Sequence, residues 1–160
     1  QKGLRSLEIK KFGLESALFK HPSGANADQG MLDRLNANLR RPNAERIFYL
    51  GDAFRIGMSI EDVFRLTAID PWFLHNIKEI VDLEKEICAC KGEIPHDLLV
   101  KAKEYGFADK QLATLLGVTE EHVRALRASL RIGASFKLVD TCAAEFQAFT
   151  PYYYSTYEQP

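Results

Sequence analysis

The sequence predicts an all-α fold in which two small orthogonal helical-bundle subdomains precede an extended C-terminal tail. Three observations lead to this prediction. Apolar residues recur at spacings of three and four between capping residues and stop glycines. Related features recur 49 residues apart, and the helical pattern ends at Gly133. With 160 residues, the chain can form one domain or two small subdomains that share a core.

The first part of the chain predicts three short helices, each with its own start and stop signal. Ser, Asp and Asn side chains cap helix N-termini, whereas glycine and the residue before proline end helices. The helices are bounded by Asp28 and Arg41-Pro42, by Asn43 and Gly57, and by the Ser59/Asp62 capping-box pair and Thr67. Upstream, Leu4 to Ile9 is typical of a helix end, and His21 to Asn26 of a loop.

The second part predicts four helices, of which the first, after Asp70-Pro71, and the last, after Thr119, are long. Asp70-Pro71 is a strong start signal, because aspartate caps helices and proline is favoured at the first helical position. The long helix is expected to run past Ile87 to near Gly92. Its inward stripe is Phe73, Ile77, Ile80, Leu83 and Ile87. The other helices are expected from near Pro95 to Gly106, from Asp109 to Leu116 before Gly117, and after a Thr119 cap.

The same order of features occurs twice, at a shift of 49 residues. Each copy has a helix, a stop glycine, a short helix, a tight turn and a capped long helix. The aligned pairs include Gly57 with Gly106, Val63 with Leu112, and Asp70 with Thr119. We interpret this repetition as two similar helical subdomains.

The tail after Gly133 is expected to be extended or irregular. Ser135 to Asp140 alternates like a strand, and Pro151 with three consecutive tyrosines does not suit a helix. One helical turn is expected at Ala143 to Phe146. The tyrosines, Tyr152, Tyr153 and Tyr154, suit either an interface or packing against a neighbouring domain.

The composition is that of a soluble globular protein, with 46% apolar and 27% charged residues. The formal net charge is −1, whereas a dedicated nucleic-acid binder usually has a basic balance. The apolar runs are far shorter than the ~20 residues that cross a bilayer. Cys88, Cys90 and Cys142 lack metal-knuckle and redox spacing, so we expect free thiols in a reducing cytoplasm.

Residues 109–131 also fit a helix-turn-helix, the main alternative function. Ala113 supplies a small residue between the helices, Gly117 the turn and Val123 the packing of one helix on the other. However, the first turn of the recognition helix carries Glu120 and Glu121, which repel a phosphate backbone. The same helix carries Arg124, Arg127 and Arg131, at spacings of three and four. Arginines at these spacings are more typical of a solvated face or of partners for nearby acids.

No pattern predicts a catalytic, cofactor-binding or metal site. The sequence has neither GxGxxG nor a Walker A motif, and its four histidines form no close ligand set. Asp52 with Arg55, and Asp82 with Lys85 and Glu86, have spacings typical of surface ion pairs. His96-Asp97 is interpreted as a helix-start aspartate beside a surface histidine. Trp72-Phe73 is interpreted as a core anchor rather than a ligand stack.

Three stretches carry a resemblance that covers nearly the whole chain. They are AERIFYLGDAFRIG from Ala44 to Gly57, IDPWFL from Ile69 to Leu74, and KLVDTCAAEF from Lys137 to Phe146 with YSTYE from Tyr154 to Glu158. In this order they resemble the middle of the large subunit of carbamoyl phosphate synthetase, and VDTCAAEF with YSTYE is the most specific part. The opening LRSLE is similar to the end of the preceding half of that enzyme.

The resemblance implies a helical connecting domain, or oligomerization domain, between two homologous ATP-grasp halves. Residues 1–20 would end the preceding half, residues 28–92 and 93–133 would form two helical subdomains, and residues 134–160 would lead to the second half. In this family the region contributes to assembly into larger oligomers. The family's nucleotide, metal and effector residues lie elsewhere, so no catalytic, cofactor-binding or metal residue is carried over.

For the parent enzyme, the resemblance implies a cytoplasmic, ATP-dependent, glutamine-hydrolysing ligase of pyrimidine and arginine biosynthesis. It would make carbamoyl phosphate from bicarbonate, ammonia and two ATP, with Mg or Mn and K as cofactors and a glutaminase small subunit. The fragment itself is expected to be inactive and cofactor-free, with the flanking halves and its own copies as partners, and without nucleic acid or membrane. A small helical enzyme remains a further alternative, and a deep pocket with paired titratable groups would be its signature.

Overall fold

The computed structural model describes residues 1–19, 27–139, 145–146 and 150–158, which form helices and one small sheet. The helices are α1 (Lys2–Arg5), α2 (Gln29–Arg40), α3 (Arg46–Arg55), α4 (Ile60–Thr67), α5 (Pro71–Ala89), α6 (His96–Glu104), α7 (Asp109–Leu116) and α8 (Glu120–Ser129). The strands are β1 (Ser135–Val139) and β2 (Tyr152–Thr156). The prediction of a mainly all-α fold is confirmed. No helix among the described residues has the length and apolar character needed to span a bilayer.

Side-chain caps start four helices at the predicted residues. The caps are Asp28 on α2, Ser59 on α4, Asp70 on α5 and Thr119 on α8. Asp70 accepts a hydrogen bond from the Trp72 amide at 2.8 Å, and Pro71 is the first residue of α5. Each cap satisfies an amide that would otherwise lack a partner within the helix, so these boundaries follow from local sequence.

The predicted cap of α3 is wrong. Asn43 Oδ1 accepts a hydrogen bond from the Glu45 amide at 2.9 Å, and α3 begins only at Arg46. Asparagine forms such a local turn as readily as it caps a helix, which explains the misleading signal.

The N-terminal segment is less helical than predicted for Leu4 to Ile9. Helix α1 ends at Arg5. Glu8 and Lys10 have positive φ angles of 56° and 60°, which an α-helix does not contain. The chain turns here and brings Leu14 into the helical core.

The 49-residue shift recurs in the helix boundaries. Helix α7 begins and ends 49 residues after α4, and α8 begins 49 residues after α5. Beyond α3, the Met58 amide donates to the Ala53 carbonyl at 3.0 Å; beyond α6, the Phe107 amide donates to the Ala102 carbonyl at 3.0 Å. Each donor follows a glycine whose φ is positive, so both helices end in the same way.

The buried apolar residues form two clusters that share α5. The first cluster contains Leu14, Leu35, Leu39, Phe48, Leu50, Ala53, Phe54, Val63, Leu74 and Val81. The second cluster contains Leu83, Ile87, Ile94, Leu99, Ala102, Phe107, Leu112, Ala113, Leu116, Val123 and Ile132. Because Ile80 packs against both, the long helix is common to the two halves of the core. The boundaries of 28–92 and 93–133 stay a prediction.

The C-terminal tail forms an antiparallel hairpin in which Phe136 pairs with Ser155 and Leu138 with Tyr153. The predicted extended character is confirmed, although the pairing of the two strands was not predicted. The loop predicted at His21 to Asn26 lies outside the described residues, as does the first part of the turn predicted at 143–146.

Candidate functional site: ion networks and exposed apolar surfaces

A buried ion network joins α3 to α5. Asp52 and Arg55 lie one turn apart on α3, and Glu84 faces them from α5. Arg55 Nε and Nη2 donate to the two Glu84 carboxylate oxygens at 2.7 and 2.8 Å, and Nη1 donates to Asp52 Oδ1 at 3.0 Å. The exposed fractions are 0% for Asp52, 7% for Arg55 and 3% for Glu84. One guanidinium therefore lies between two carboxylates in the interior.

The same network holds the segment that follows α1. Asp52 Oδ2 accepts hydrogen bonds from the Ala17 and Leu18 amides at 2.9 and 3.0 Å. Arg55 Nη2 also donates to the Leu14 carbonyl. Each carboxylate oxygen of the network has a donor, which is the condition under which a protein interior tolerates charge.

The charge on Arg55 is stabilised by its partners. Burial lowers the pKa of Arg55, but hydrogen bonds and Coulombic attraction from Glu84 and Asp52 outweigh burial and raise that pKa above its usual value. Arg55 is therefore a permanent cation in the folded protein.

The prediction that Asp52 and Arg55 form a surface pair is wrong. Their spacing identifies the partners but not their depth, and the third member, Glu84, was missed. Glu84 lies three residues after Val81 and three before Ile87, both buried. Its place on this apolar stripe was the signal that could have revealed it.

A second ion network joins α6, α7 and α8. Asp109 Oδ1 accepts from Lys103 Nζ at 2.8 Å and from Arg127 Nε at 2.9 Å, and Oδ2 accepts from Arg127 Nη2 at 2.6 Å. Lys103 also donates to the Phe107 carbonyl at 2.7 Å, and Arg127 Nη1 donates to the Ile132 carbonyl at 2.9 Å. This network fixes the turn after α6 and the turn after α8.

The charges of the second network respond differently to burial. Burial raises the pKa of Asp109, but hydrogen bonds from Arg127 and Lys103 outweigh it and leave that pKa below its usual value. Burial also lowers the pKa of Lys103, and Asp109 only partly offsets this effect. The short contact between Lys103 Nζ and Asp109 argues for an ion pair at neutral pH.

Tyr157, just after β2, lies over the second network. Its ring centre is 5.1 Å from Lys103 Nζ and 5.9 Å from Arg127 Cζ, which is cation–π distance. Tyr157 also packs against the second cluster. The network thus holds the end of the hairpin, as the first network holds the segment after α1.

Residues 109–131 have the backbone of a helix-turn-helix but not its surface. Gly117 takes the left-handed conformation between α7 and α8, and Val123 is buried between the helices. Arg127 binds Asp109, and Arg124 Nη2 donates to Glu120 at 3.0 Å. Two of the three arginines are therefore bound to acids, and these contacts give the nucleic-acid alternative no support.

The prediction that Trp72 and Phe73 anchor the core is wrong. Trp72 is 65% exposed and Phe73 57% exposed, with their rings edge to face at 4.9 Å. The buried stripe of α5 begins one residue later than predicted, at Leu74. Phe64 on α4 is 40% exposed. We call the two side chains in contact, Trp72 and Phe73, the aromatic surface.

One face of the hairpin is apolar and exposed. Residues two apart on a strand share a face, so Phe136 and Leu138 lie beside their cross-strand neighbour Tyr153. All three side chains are exposed. We call these three residues the hairpin face.

No group of three or more His, Cys, Asp and Glu side chains in the described ranges could hold a metal ion. His96 and Asp97 lie exposed in the first turn of α6, as expected, and 2.9 Å separate Nδ1 from Oδ1. Cys88 and Cys90 are free thiols, as expected, and Cys142 lies outside the described residues.

The two buried ion networks hold chain segments against the helices, and apolar side chains remain exposed on the surface. These features define a helical structural domain with contact surfaces. The comparisons place it in a family. Residues 1–131 match the family described as "Carbamoyl-phosphate synthetase large chain, oligomerisation domain". The chain belongs to this family, and the resemblance noted from the sequence is confirmed.

Large chains of carbamoyl phosphate synthase match almost the whole chain. The chain is 46% identical over 159 residues to "Carbamoyl phosphate synthase large chain, N-terminal section" of Aquifex aeolicus. It is 43% identical over 163 residues to "Carbamoyl phosphate synthase large chain" of Archaeoglobus fulgidus and 46% over 164 residues to that of a Synechocystis species. These alignments cover 99% of this chain but only 27%, 14% and 14% of the relatives.

Proposed function

We propose that this chain is the non-catalytic connecting and oligomerisation domain within a carbamoyl phosphate synthase large chain. In that role it holds two ATP-grasp halves of the same polypeptide at a fixed distance and contributes a surface for assembly. The observation that carries the proposal is the family match over residues 1–131. The small coverage of the relatives supports a role as one part of a longer enzyme.

The parent enzyme of this proposal is a ligase of pyrimidine and arginine biosynthesis in the cytoplasm. It makes carbamoyl phosphate from bicarbonate, ammonia and two ATP, and a glutaminase small subunit supplies the ammonia. ATP, Mg or Mn, and K act in its catalytic halves rather than in this domain.

The ion networks support the connecting role. A connector must fix the polypeptide on both of its sides, and each network binds one such segment through named contacts. Asp52 binds the amides of Ala17 and Leu18, while Lys103 and Arg127 lie under the ring of Tyr157. Bonds of this kind specify a position, which nonspecific apolar contact does not do.

The exposed surfaces support a weak tendency to self-associate. The exposed rings of Trp72 and Phe73 leave roughly 200–300 Å² of apolar area, and the three side chains of the hairpin face leave roughly 300–400 Å². A stable dimer usually buries about 800 Å² on each partner. Either surface alone is therefore too small for tight association, and we expect reversible dimers at high concentration only.

Sedimentation equilibrium of the 160-residue chain tests this role. Over a range of about 10 to 500 µM, we expect a monomer–dimer equilibrium with a dissociation constant of about 0.1 mM or weaker. Phe73→Glu and Leu138→Glu each place a charge on one surface. At least one of them should abolish the dimer, and Ala125→Glu, at an exposed position of α8 outside both surfaces, is the matched control. A strict monomer, or a dimer that neither variant weakens, would contradict self-association through these surfaces.

A further inference from the structure

The N-terminal helix touches the hairpin, although the two are separated by most of the sequence. Lys2 Nζ donates to the Ser155 carbonyl at 2.9 Å and to Ser155 Oγ at 2.8 Å. Arg5 Nη1 donates to the Gly106 carbonyl at 2.6 Å. Helix α1 therefore contacts both β2 and the turn between α6 and α7.

Tyr157 is the main apolar attachment of the hairpin among the described residues. It packs against the second cluster, whereas Phe136, Leu138 and Tyr153 point into solvent. An isolated two-stranded hairpin is marginally stable in water. Its position therefore depends on Tyr157 and on the polar contacts of β2.

The space beneath these contacts is open. A cavity of about 610 Å³ lies between α1, the turn after α6 and β2, and Lys2, Arg5, Gly106 and Tyr157 are among its lining residues. If the hairpin separates here, the second cluster loses the packing of one ring, while the buried residues of both clusters stay in place.

Opening would also leave no unpaired buried charge. When the Tyr157 ring leaves, Lys103 and Arg127 keep Asp109 as their partner. The opened state thus loses a cation–π contact but avoids the large cost of an isolated charge.

We propose that Tyr157 and the Lys2–Ser155 bonds form a clasp that couples α1 to the β1–β2 hairpin, so that the two segments open and close together. The functional consequence of the clasp rests on the connecting role proposed above. In that role, the clasp links the polypeptide that enters the helical frame to the polypeptide that leaves it. A change in the position of one is then transmitted to the other.

Amide hydrogen exchange of the 160-residue chain, followed from milliseconds to hours, tests the clasp. Tyr157→Ala removes the ring, and Tyr157→Phe is the matched control because it keeps the ring over both cations. We expect Tyr157→Ala to accelerate exchange in β1 and β2 by about five- to thirtyfold, as loss of a cation–π contact implies. Exchange in α1 should rise as well, while Tyr157→Phe stays at the wild-type rates.

The reverse experiment uses Lys2→Met, which keeps the aliphatic stem and removes the ammonium group. Coupling is reciprocal, so this change at α1 should accelerate exchange in the hairpin by about two- to fivefold. Unchanged α1 rates in Tyr157→Ala, or unchanged hairpin rates in Lys2→Met, would overturn the proposal. Acceleration spread over α2 to α5 would overturn it too, because Tyr157 would then support the whole fold. Sedimentation does not report on these rates, so failure of the clasp is distinguishable from failure of self-association.

Discussion

Replacement of Arg55 by methionine tests whether the first ion network stabilises the fold as a buried group of charges whose hydrogen bonds are all made. Methionine keeps most of the side-chain volume but removes four donated bonds, two to Glu84 and one each to Asp52 and Leu14. Two buried carboxylates are then left without their cation. Breaking a buried ion pair in this way costs about 3–5 kcal/mol.

The loss can be measured by urea unfolding followed by circular dichroism. With a slope of about 2 kcal/mol/M, a loss of that size lowers the unfolding midpoint by about 1.5–2.5 M. A domain of this size has about 5–15 kcal/mol of stability in total, so the variant should still fold. Hydrogen exchange should also rise in residues 14–18, because their anchor on Asp52 and Arg55 is disturbed.

The matched control is Arg65→Met on α4. Arg65 Nη2 lies 2.7 Å from Asp62 Oδ1, but the arginine side chain is 64% exposed. An exposed pair contributes about 0–1 kcal/mol, so this variant should unfold within about 0.5 M of the wild type. Equal effects of the two substitutions would refute the argument that burial, rather than the presence of an ion pair, determines the cost.

Three further predictions concern helix ends and pH. Ala68 and Gly117 occupy equivalent left-handed C-caps, with φ of 55° and 71°. Ala68→Gly should therefore stabilise the fold and Gly117→Ala destabilise it, each by about 1 kcal/mol in thermal or urea unfolding, and equal signs would be inconsistent with this reasoning. Asp70→Ala should lower stability by about 1 kcal/mol through loss of the α5 cap, and an unchanged urea midpoint would count against it. Burial raises the pKa of Asp109, but Arg127 and Lys103 hold it below the usual 3.8. The stabilising effect of Asp109 is thus present above pH 3.8 and is lost as the pH falls through the lower pKa that Asp109 has in the folded protein. The urea midpoints of Asp109→Asn and the wild type should differ at pH 6 and converge below about pH 3.8, and a constant difference would refute the assignment.

The helix boundaries were the most predictable part of the fold. Asp70, Ser59 and Thr119 cap the helices expected of them, because a cap is a bond between residues only two or three positions apart. The 49-residue repeat was also visible, since it consists of the same local signals. Asn43 shows the limit of this reasoning, because one local sequence can satisfy two turn geometries.

Burial was less predictable than helix position. Trp72 and Phe73 follow a strong cap and look like the start of an apolar stripe, yet Leu74 begins it. Successive residues on a helix are rotated by about 100°, so the neighbours of a buried residue can be exposed, although Leu83 and Ile87 of the predicted stripe are buried. The place of Glu84 on the apolar stripe indicates its burial, but its pairing with Arg55, 29 positions earlier, has no signal in the local sequence.

The candidate functional surfaces depend on still longer separations. The strand character of Ser135 to Val139 was predicted, but its pairing with β2 was not, because strand pairing depends on contacts between distant residues. The same holds for Lys2 and Ser155, which are 153 positions apart. The role of the domain therefore came from the family resemblance, whereas the contacts that carry it came from the structure.

The helix boundaries repeat after 49 residues, but the residues of the ion networks do not. The shift of 49 residues that superposes the helix boundaries places Asp52 on Lys101, Arg55 on Glu104 and Glu84 on Gly133, so the first network has no counterpart in the second copy. A network needed only for folding could be replaced by apolar side chains at little cost. These two networks instead bind different segments, one after α1 and one after β2. The two helical copies therefore carry separate attachments for these two segments, and this difference supports the connecting role proposed above.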